Sequence, residues 1–231
     1  MEAKSREILL NEIVREYGKM VSGICRRMIQ DQDLAEDVAQ EVWIQIIKSI
    51  DSFEEKSKLS TWIYTICYRV IKKYCKKERV YTTVFLSSYY RQGELEIPEN
   101  IDYDQSIWIK EMCNKCITGI LHCLDNESRL IYLFRDVVQL EYGEISVIFN
   151  KKEVAIRKLI SRVRKKLKNF LEDECILFNP HGKCNCRMKR LVKDIKLEEE
   201  YTKIREIAKT VNFFVESEEI LPCKNFWEKL I

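Results

Sequence analysis

Glycine and proline are scarce in this chain, which has 231 residues but only 6 Gly and 3 Pro. Turn-rich β folds need these residues at many positions, whereas long helices joined by short turns do not. The chain also lacks any apolar run near the roughly 18 residues of a membrane span. Its charged first residues lack the apolar core of a signal peptide. The sequence therefore predicts an all-α, cytoplasmic protein whose 10 Cys are reduced thiols.

Residue types that carry enzyme chemistry are also missing. The chain has only 2 His, and we find no glycine-rich phosphate loop, nucleophile elbow or pair of catalytic carboxylates. These absences predict that the protein is not an enzyme. The formal net charge is only +3, so any binding of nucleic acid must rest on local basic patches.

One such patch is the segment NKKEVAIRKLISRVRKKL, residues 150–167. At helical spacing its apolar residues form one stripe: Ile156, Ile160, Val163 and Leu167. Its basic residues fall on the opposite side: Arg157, Lys158, Arg164, Lys165 and, just beyond, Lys168. A shorter helical pattern, LEYGEISVIF, precedes it, and Asn150 between the two tolerates a left-handed turn. A short helix, a tight turn and a longer basic helix predict a helix-turn-helix.

The pattern along the chain divides it into four blocks. Residues 1–78 are predicted to be helical, with Asp33 as the cap of a second helix and Glu36 three residues later. Residues 79–104 lose the periodicity and form an irregular linker, whose YTTVFL start could pair as a short strand. Residues 105–171 are helical again. Residues 172–231 form a Cys-containing, partly helical extension, which could be a regulatory module.

Two separated motifs resemble a known family. The segments DLAEDVAQEVWIQIIKSIDSF and STWIYTICYRVIKKYCKK resemble region 2 of bacterial RNA polymerase sigma factors of the sigma-70 family. The segment LEYGEISVIFNKKEVAIRKLISRVRKKL resembles region 4, and the short spacing resembles the extracytoplasmic-function (ECF) group. The resemblance implies two small helical domains, at 1–78 and 105–171, in a factor that directs transcription initiation at −10 and −35 promoter elements. The alternative is a stand-alone helix-turn-helix transcriptional regulator.

The resemblance also assigns roles to the region 2 residues. It implies that one helix docks on the β′ clamp of core RNA polymerase through a polar face: Asp33, Glu36, Asp37, Gln40, Glu41 and Gln45. It implies that the −10 element meets Ser60, Thr61, Trp62, Tyr64, Arg69, Lys72, Lys73, Lys76 and Lys77, with Phe53 nearby. Taken alone, the acidic face and the lysines are compatible with solvated helix surfaces, and Trp62 with core packing.

Region 4 would contact the −35 element and the polymerase β flap. Early positions of the basic helix would meet base edges and later ones phosphates. The candidates are Lys151, Lys152, Glu153, Arg157, Lys158, Ser161, Arg162, Arg164 and Lys165. Glu153 could accept from a cytosine amino group or cap its helix. The family further implies that an anti-sigma partner is possible. It also implies a linker that runs through polymerase channels, where Glu94, Glu96, Glu99, Asp102 and Asp104 would mimic nucleic acid, and a plain solvated linker is the alternative.

The cysteines fall into two groups. Cys113, Cys116 and Cys123, near His122, lie at helical spacing with Ile109 and Ile120, which favours core packing over a metal site. Four potential zinc ligands of the extension lie in an irregular stretch: Cys175, His181, Cys184 and Cys186. Cys223 could replace His181 in that set. A zinc site, a thiol redox switch and free structural thiols all stay open for this stretch.

Overall fold

The computed structural model describes residues 3–54, 56–92, 118–175, 179 and 181–184. The longer helices are α1 (Ala3–Met28), α2 (Gln32–Ser49), α3 (Leu59–Tyr74), α4 (Thr83–Gln92), α5 (Asn126–Tyr132), α6 (Tyr142–Phe149) and α7 (Glu153–Glu174). Residues 118–121 are also helical. A π-helical segment, Leu133–Val137, continues α5, and single 3₁₀ turns at Ile50–Ser52 and Cys75–Lys77 follow α2 and α3. These described ranges contain no strand, which confirms the all-α prediction.

The chain forms two compact units. Among the described residues, the first unit contains 3–79 and 126–158, and the second contains 80–92, 118–125 and the residues from 159 onward. The acidic run that begins at Glu94 lies outside the described residues, and so do Cys113, Cys116, Cys186 and most of the extension.

The three long helices of the first unit form its core through apolar stripes. Each helix presents one side to the others, and the buried residues follow the spacing of three and four that an amphipathic helix requires. Among the most fully buried are Val21, Ile24, Met28, Val38, Val42, Ile46, Ile63, Cys67 and Ile71. The stripes predicted along residues 1–78 are confirmed at most positions, but Ile8, which the spacing placed in the stripe of α1, is 53% exposed and lies outside the core.

The start of α2 differs from the sequence prediction. The cap is Asp31, whose Oδ1 accepts a hydrogen bond from the Leu34 N–H at 2.9 Å, and α2 begins at Gln32. Asp33 therefore lies inside the first turn, and its prediction as the cap was wrong. Both aspartates have suitable neighbours in the sequence, but only Asp31 has the extended backbone that a capping residue adopts.

A buried isoleucine of α2 and its exposed neighbour provide a matched stability test. Ile46 is fully buried, whereas the side chain of Ile47 is 41% exposed. We expect Ile46→Ala to lower the free energy of unfolding by about 2–5 kcal/mol, because it leaves a cavity in the core. Ile47→Ala should cost less than about 1 kcal/mol. Urea unfolding followed by circular dichroism measures both, and equal losses would contradict this packing of α2.

In the second unit, the segment expected to be irregular or a short strand is helical. Thr82 precedes α4, and its hydroxyl accepts a hydrogen bond from the Phe85 N–H at 3.1 Å, as an N-cap does. Leu86 is buried, and the Tyr81 N–H donates to the His122 carbonyl at 2.9 Å. The strand prediction for YTTVFL was wrong because β-propensity depends on neighbouring strands, and none is present among the described residues.

The C-terminal half of α7 completes the second unit. Its stripe of Ile160, Val163 and Leu167 is buried, as predicted. The Arg91 guanidinium donates two hydrogen bonds to the nearly buried Glu174 carboxylate, one of them at 2.8 Å. These bonds are the main reason why the pKa of Glu174 is lowered, so this carboxylate is ionised at neutral pH.

Candidate nucleic-acid and partner interfaces

The helix-turn-helix predicted at residues 140–167 is present. Helix α6 has eight residues and opens with a capping box, in which the Glu141 and Glu144 side chains each accept from the other's backbone N–H. Asn150 follows in the left-handed conformation, with φ 51° and ψ 48°, and Lys151 N–H donates to the Ser146 carbonyl at 3.0 Å. Helix α7 then begins at Glu153. The short helix and the left-handed turn at Asn150 are both confirmed.

The outward face of α7 presents most of the predicted −35 candidates to solvent. The exposed members are Lys152, Arg157, Lys158, Ser161, Arg162 and Lys165, and the partly exposed ones are Lys151, Glu153 and Arg164. Behind them Ile156 is fully buried. Lys151 forms an ion pair with Glu127 at 3.0 Å. The face therefore offers a dense row of cations of the kind that binds the DNA backbone.

Arg157 is held in place by two neighbours. Its Nε donates to Glu153 Oε1 at 3.0 Å, and its guanidinium carbon lies 4.0 Å from the centre of the Tyr142 ring. Glu153, for which a base contact and a helix cap were both considered, is thus the ion-pair partner of Arg157 in this structure. Tyr142 was missed by the sequence reasoning. Its position at the start of the helix before the recognition helix could have suggested this stacking role.

The N-terminal half of α3 brings together the predicted strand-separating residues. The Phe53 and Trp62 rings lie 5.3 Å apart, and Trp62 and Ser60 are half-buried. Thr61 and Tyr64, by contrast, are 6% and 3% exposed. Trp62 is therefore partly available for stacking on a base, while Thr61 and Tyr64 are covered in this form of the protein.

The C-terminal half of α3 and the 3₁₀ turn that follows it carry a solvent-exposed basic cluster, made up of Arg69, Lys72, Lys73, Lys76 and Lys77. The Lys72 ammonium donates to the Tyr68 hydroxyl at 2.9 Å, and this bond raises the pKa of Lys72. Lys73 lies over the Tyr74 ring at 5.4 Å. The cluster is suited to phosphate contacts.

The polar face of α2 is the predicted docking surface. Asp33, Asp37 and Gln40 are exposed, while Glu36, Glu41 and Gln45 are half-buried, and Gln45 Nε2 donates to Glu41 Oε1 at 2.8 Å. Two apolar residues of the same helix, Ile44 and Ile47, are 42% and 41% exposed. Ile44 lies four positions after Gln40 and so continues the face. The sequence prediction missed it, because only the polar residues of this helix were considered for docking.

Two buried cysteines of the first unit, Cys67 and Cys75, have surroundings that disfavour the reactive thiolate. Contact with the Cys25 thiol and burial raise the pKa of Cys67 well above its usual range, and burial raises the pKa of Cys75 to about 12. Cys123 and His122 in the second unit are buried, consistent with core packing. These thiols act as small apolar side chains.

Three of the predicted zinc ligands are described, and Cys186 is not. Cys175 and Cys184 are half-buried and His181 is exposed. Within the described part of the chain, no group of three or more His, Cys, Asp or Glu side chains is arranged to hold a metal ion. The zinc site therefore stays a prediction that depends on residues beyond the described ranges.

Among the described helices, none is both long and apolar enough to span a membrane.

Comparison with known proteins identifies both motif regions. Residues 13–80 match the family Sigma-70 region 2, and residues 114–167 match Sigma-70, region 4. The chain is 27% identical over 173 residues to the ECF RNA polymerase sigma factor SigW of Bacillus subtilis, covering 70% of this chain and 88% of SigW. It is 23% identical over 175 residues to the ECF RNA polymerase sigma-E factor of Escherichia coli K12, covering 73% and 90%.

A solved structure has a similar fold. In the structure of CnrH in complex with the cytosolic domain of CnrY, one chain aligns with a TM-score of 0.55 and 15% sequence identity. The alignment covers 72% of this chain and 89% of that one.

Proposed function

Since the chain belongs to the sigma-70 family of RNA polymerase sigma factors and to its ECF group, we propose that α7 contacts the −35 element and α3 the −10 element. The protein is a sigma factor that directs transcription initiation. Proteins of this group partner with core RNA polymerase and with anti-sigma factors. The proposal concerns which surface of this chain performs each of these tasks.

The observation that carries the −35 assignment is the geometry of α6, Asn150 and α7. The left-handed turn allows α7 to begin directly after α6, and the buried stripe leaves the basic side facing solvent. A helix of this kind enters the major groove with its first turns against base edges. Arg157 is then the principal base-contacting residue, because Tyr142 and Glu153 restrict its guanidinium before DNA binds.

The −10 assignment rests on the division of α3 into an aromatic and a basic half. Trp62, supported by Phe53, offers a half-exposed ring for stacking on an unpaired base. The lysines that follow would track the phosphates of the separated strand. Single-strand contacts of both kinds help to offset the unstacking energy that promoter melting costs.

Helix α2 is proposed to dock on the polymerase β′ clamp. Its exposed carboxylates, Asp33 and Asp37, provide charge for a basic partner surface, and Ile44 adds apolar area beside them. Apolar contacts at the centre of an interface and charges at its rim are the usual arrangement. We further propose that the α5–α7 region contacts the polymerase β flap. The protein would act in the cytoplasm, and its C-terminal extension would bind a zinc ion.

Arg157→Ala tests base contact at the −35 element. We expect a loss of about 1–3 kcal/mol of discrimination at one −35 position, roughly 5- to 150-fold in relative promoter output. Arg162→Ala is the matched control, because Arg162 is exposed later on the same helix and would meet phosphate. It should weaken all −35 variants about equally. Transcription from promoters with single −35 substitutions measures both, and a uniform loss for Arg157→Ala would identify it as a phosphate contact.

A further inference from the structure

Helix α7 exposes an apolar side chain in the middle of its basic face. Val154 is the second residue of the helix and is 63% exposed. Two residues at about 100° each separate it from the fully buried Ile156, so Val154 points almost directly away from the core. Lys152 and Lys158 are exposed on the same side. An apolar group therefore lies at the centre of the surface that is proposed to face DNA.

The direction of Val154 is fixed by the backbone before any ligand binds. The Ala155 N–H donates to the Lys152 carbonyl at 2.9 Å, which closes the first turn of α7. The preceding turn is held at Lys151, whose N–H donates to the Ser146 carbonyl and whose carbonyl accepts from the Ser146 hydroxyl. A valine in a helix has one strongly preferred χ1 rotamer. Contact with its methyl groups therefore costs little conformational entropy.

Arg157 lies beside Val154, because residues three positions apart on a helix are neighbours. Its guanidinium carbon lies 4.0 Å from the centre of the Tyr142 ring, and the guanidinium carbon of Arg135 lies 4.5 Å from the same point. Arg135 Nη1 in turn donates to the Leu140 carbonyl at 2.8 Å. The ring that supports Arg157 is thus itself supported by a side chain anchored to the backbone. This restricts where Arg157 lies relative to Val154.

The major groove of DNA offers one apolar group that suits such a valine. Thymine carries its C5-methyl group there, whereas cytosine presents an amino donor and the purines present hydrogen-bonding atoms. Neighbours on a helix surface have Cβ atoms roughly 5–6 Å apart, and successive bases of one strand are about 3.4 Å apart. Val154 and Arg157 would therefore meet base pairs that are about one or two steps apart.

We propose that Val154 is a specificity residue that packs on the C5-methyl group of a −35 thymine, next to the base that Arg157 contacts. The inference rests on the proposed function, because it requires the first turn of α7 to lie in the major groove. It adds a requirement for the promoter, namely an A·T pair at a fixed distance from the base pair that Arg157 reads. Uracil differs from thymine only by the methyl group, so the contact can be tested by removing that group alone.

The test uses holoenzyme assembled from core polymerase and the full-length chain, on a promoter selected by transcription from a randomised library. Each −35 thymine of either strand is replaced in turn by uracil, and the equilibrium affinities for the two duplexes are compared. For the wild-type factor we expect one thymine whose replacement lowers affinity roughly three- to fivefold, as burial of one methyl group predicts. That thymine should lie beside the base pair at which Arg157→Ala loses discrimination.

Val154→Ala should bring the ratio of thymine to uracil affinity at this position close to one, because it removes the two methyl groups that make the contact. Alanine is the best helix former, so the first turn of α7 is kept. Val147→Ala is the matched control. Val147 is 73% exposed on α6, and its variant should keep the wild-type ratio. The ratio is taken within each variant, so a general loss of affinity or stability cancels.

Three results would overturn the inference: a −35 motif without an A·T pair, a wild-type ratio near one at every thymine, or a ratio that Val154→Ala leaves unchanged. An equal loss of the ratio in Val147→Ala would also overturn it. The proposed function survives these results if transcription still needs a −35 motif whose reading Arg157→Ala changes. Factor-dependent transcription that no −35 substitution affects would instead refute the assignment of α7 to the −35 element.

Discussion

Replacing Lys72, Lys73, Lys76 and Lys77 together by glutamine is expected to lower promoter-strand affinity on the order of 100-fold at low salt. All four side chains are exposed, in the last turn of α3 and in the 3₁₀ turn that follows it. Each lysine that binds a phosphate releases a counterion, so the slope of log affinity against log salt should fall by about 0.7 for each lysine replaced, roughly 3 in total. Fluorescence anisotropy with single-stranded DNA, for the polymerase-bound factor at several salt concentrations, measures both effects.

Two exposed lysines elsewhere in the first unit provide the control. Lys19→Gln with Lys48→Gln removes charge from α1 and α2 without touching the basic end of α3. This double variant should leave the slope nearly unchanged, because lysines that bind no phosphate release no counterions when DNA binds. If it lowers the slope as much per charge as the α3 variant does, the basic cluster acts through net charge alone and the proposed phosphate contacts are refuted.

Reversing charge on the polar face of α2 should disable polymerase binding. In the variant Asp37→Lys with Glu41→Lys, two cations replace carboxylates that are proposed to face a basic partner. Like charges placed together at an interface cost several kcal/mol, so core polymerase affinity should fall on the order of 100-fold or more. Native mass spectrometry or analytical ultracentrifugation of the labelled factor with core polymerase measures the loss.

The matched control for this variant is Glu12→Lys with Glu16→Lys on α1. Both glutamates are exposed and have the same spacing of four residues. The net charge change is identical, so a nonspecific effect would appear in both variants. We expect the α1 variant to bind core polymerase within about threefold of wild type, as surface substitutions away from an interface usually do. Equal losses would remove α2 from the docking proposal.

Most of the helices could be predicted from the sequence, because their buried apolar residues recur at helical spacing. Ile156, Ile160, Val163 and Leu167 are all buried, and Asn150 is left-handed, as their spacing and residue types predicted. These features are local, since each depends on neighbours within a few residues. The N-cap of α2 was harder to predict, because Asp31 and Asp33 are both suitable for that position. Helix α4 was also harder to predict, because residues 79–92 have no long apolar stripe.

Contacts between distant parts of the chain could not be predicted from the sequence. Thr61 and Glu144 are separated by 83 positions, and nothing in either motif indicates that they meet. Tyr142 lies under Arg157 because of the angle at which α6 and α7 cross. The spacing of apolar residues along the sequence predicts each helix but not that angle. Ile44 shows a related difficulty. An apolar residue in a helical pattern suggests the core, and only its exposure indicates a docking role.

The most direct test of the account is transcription from a randomised promoter library, with purified bacterial core polymerase in the presence and absence of the full-length protein. The account predicts that transcripts appear only with the protein and that the active promoters share one −35 and one −10 motif. No initiation by the wild-type protein, together with tight binding of the protein alone to a specific duplex, would contradict it. That outcome would indicate a stand-alone regulator.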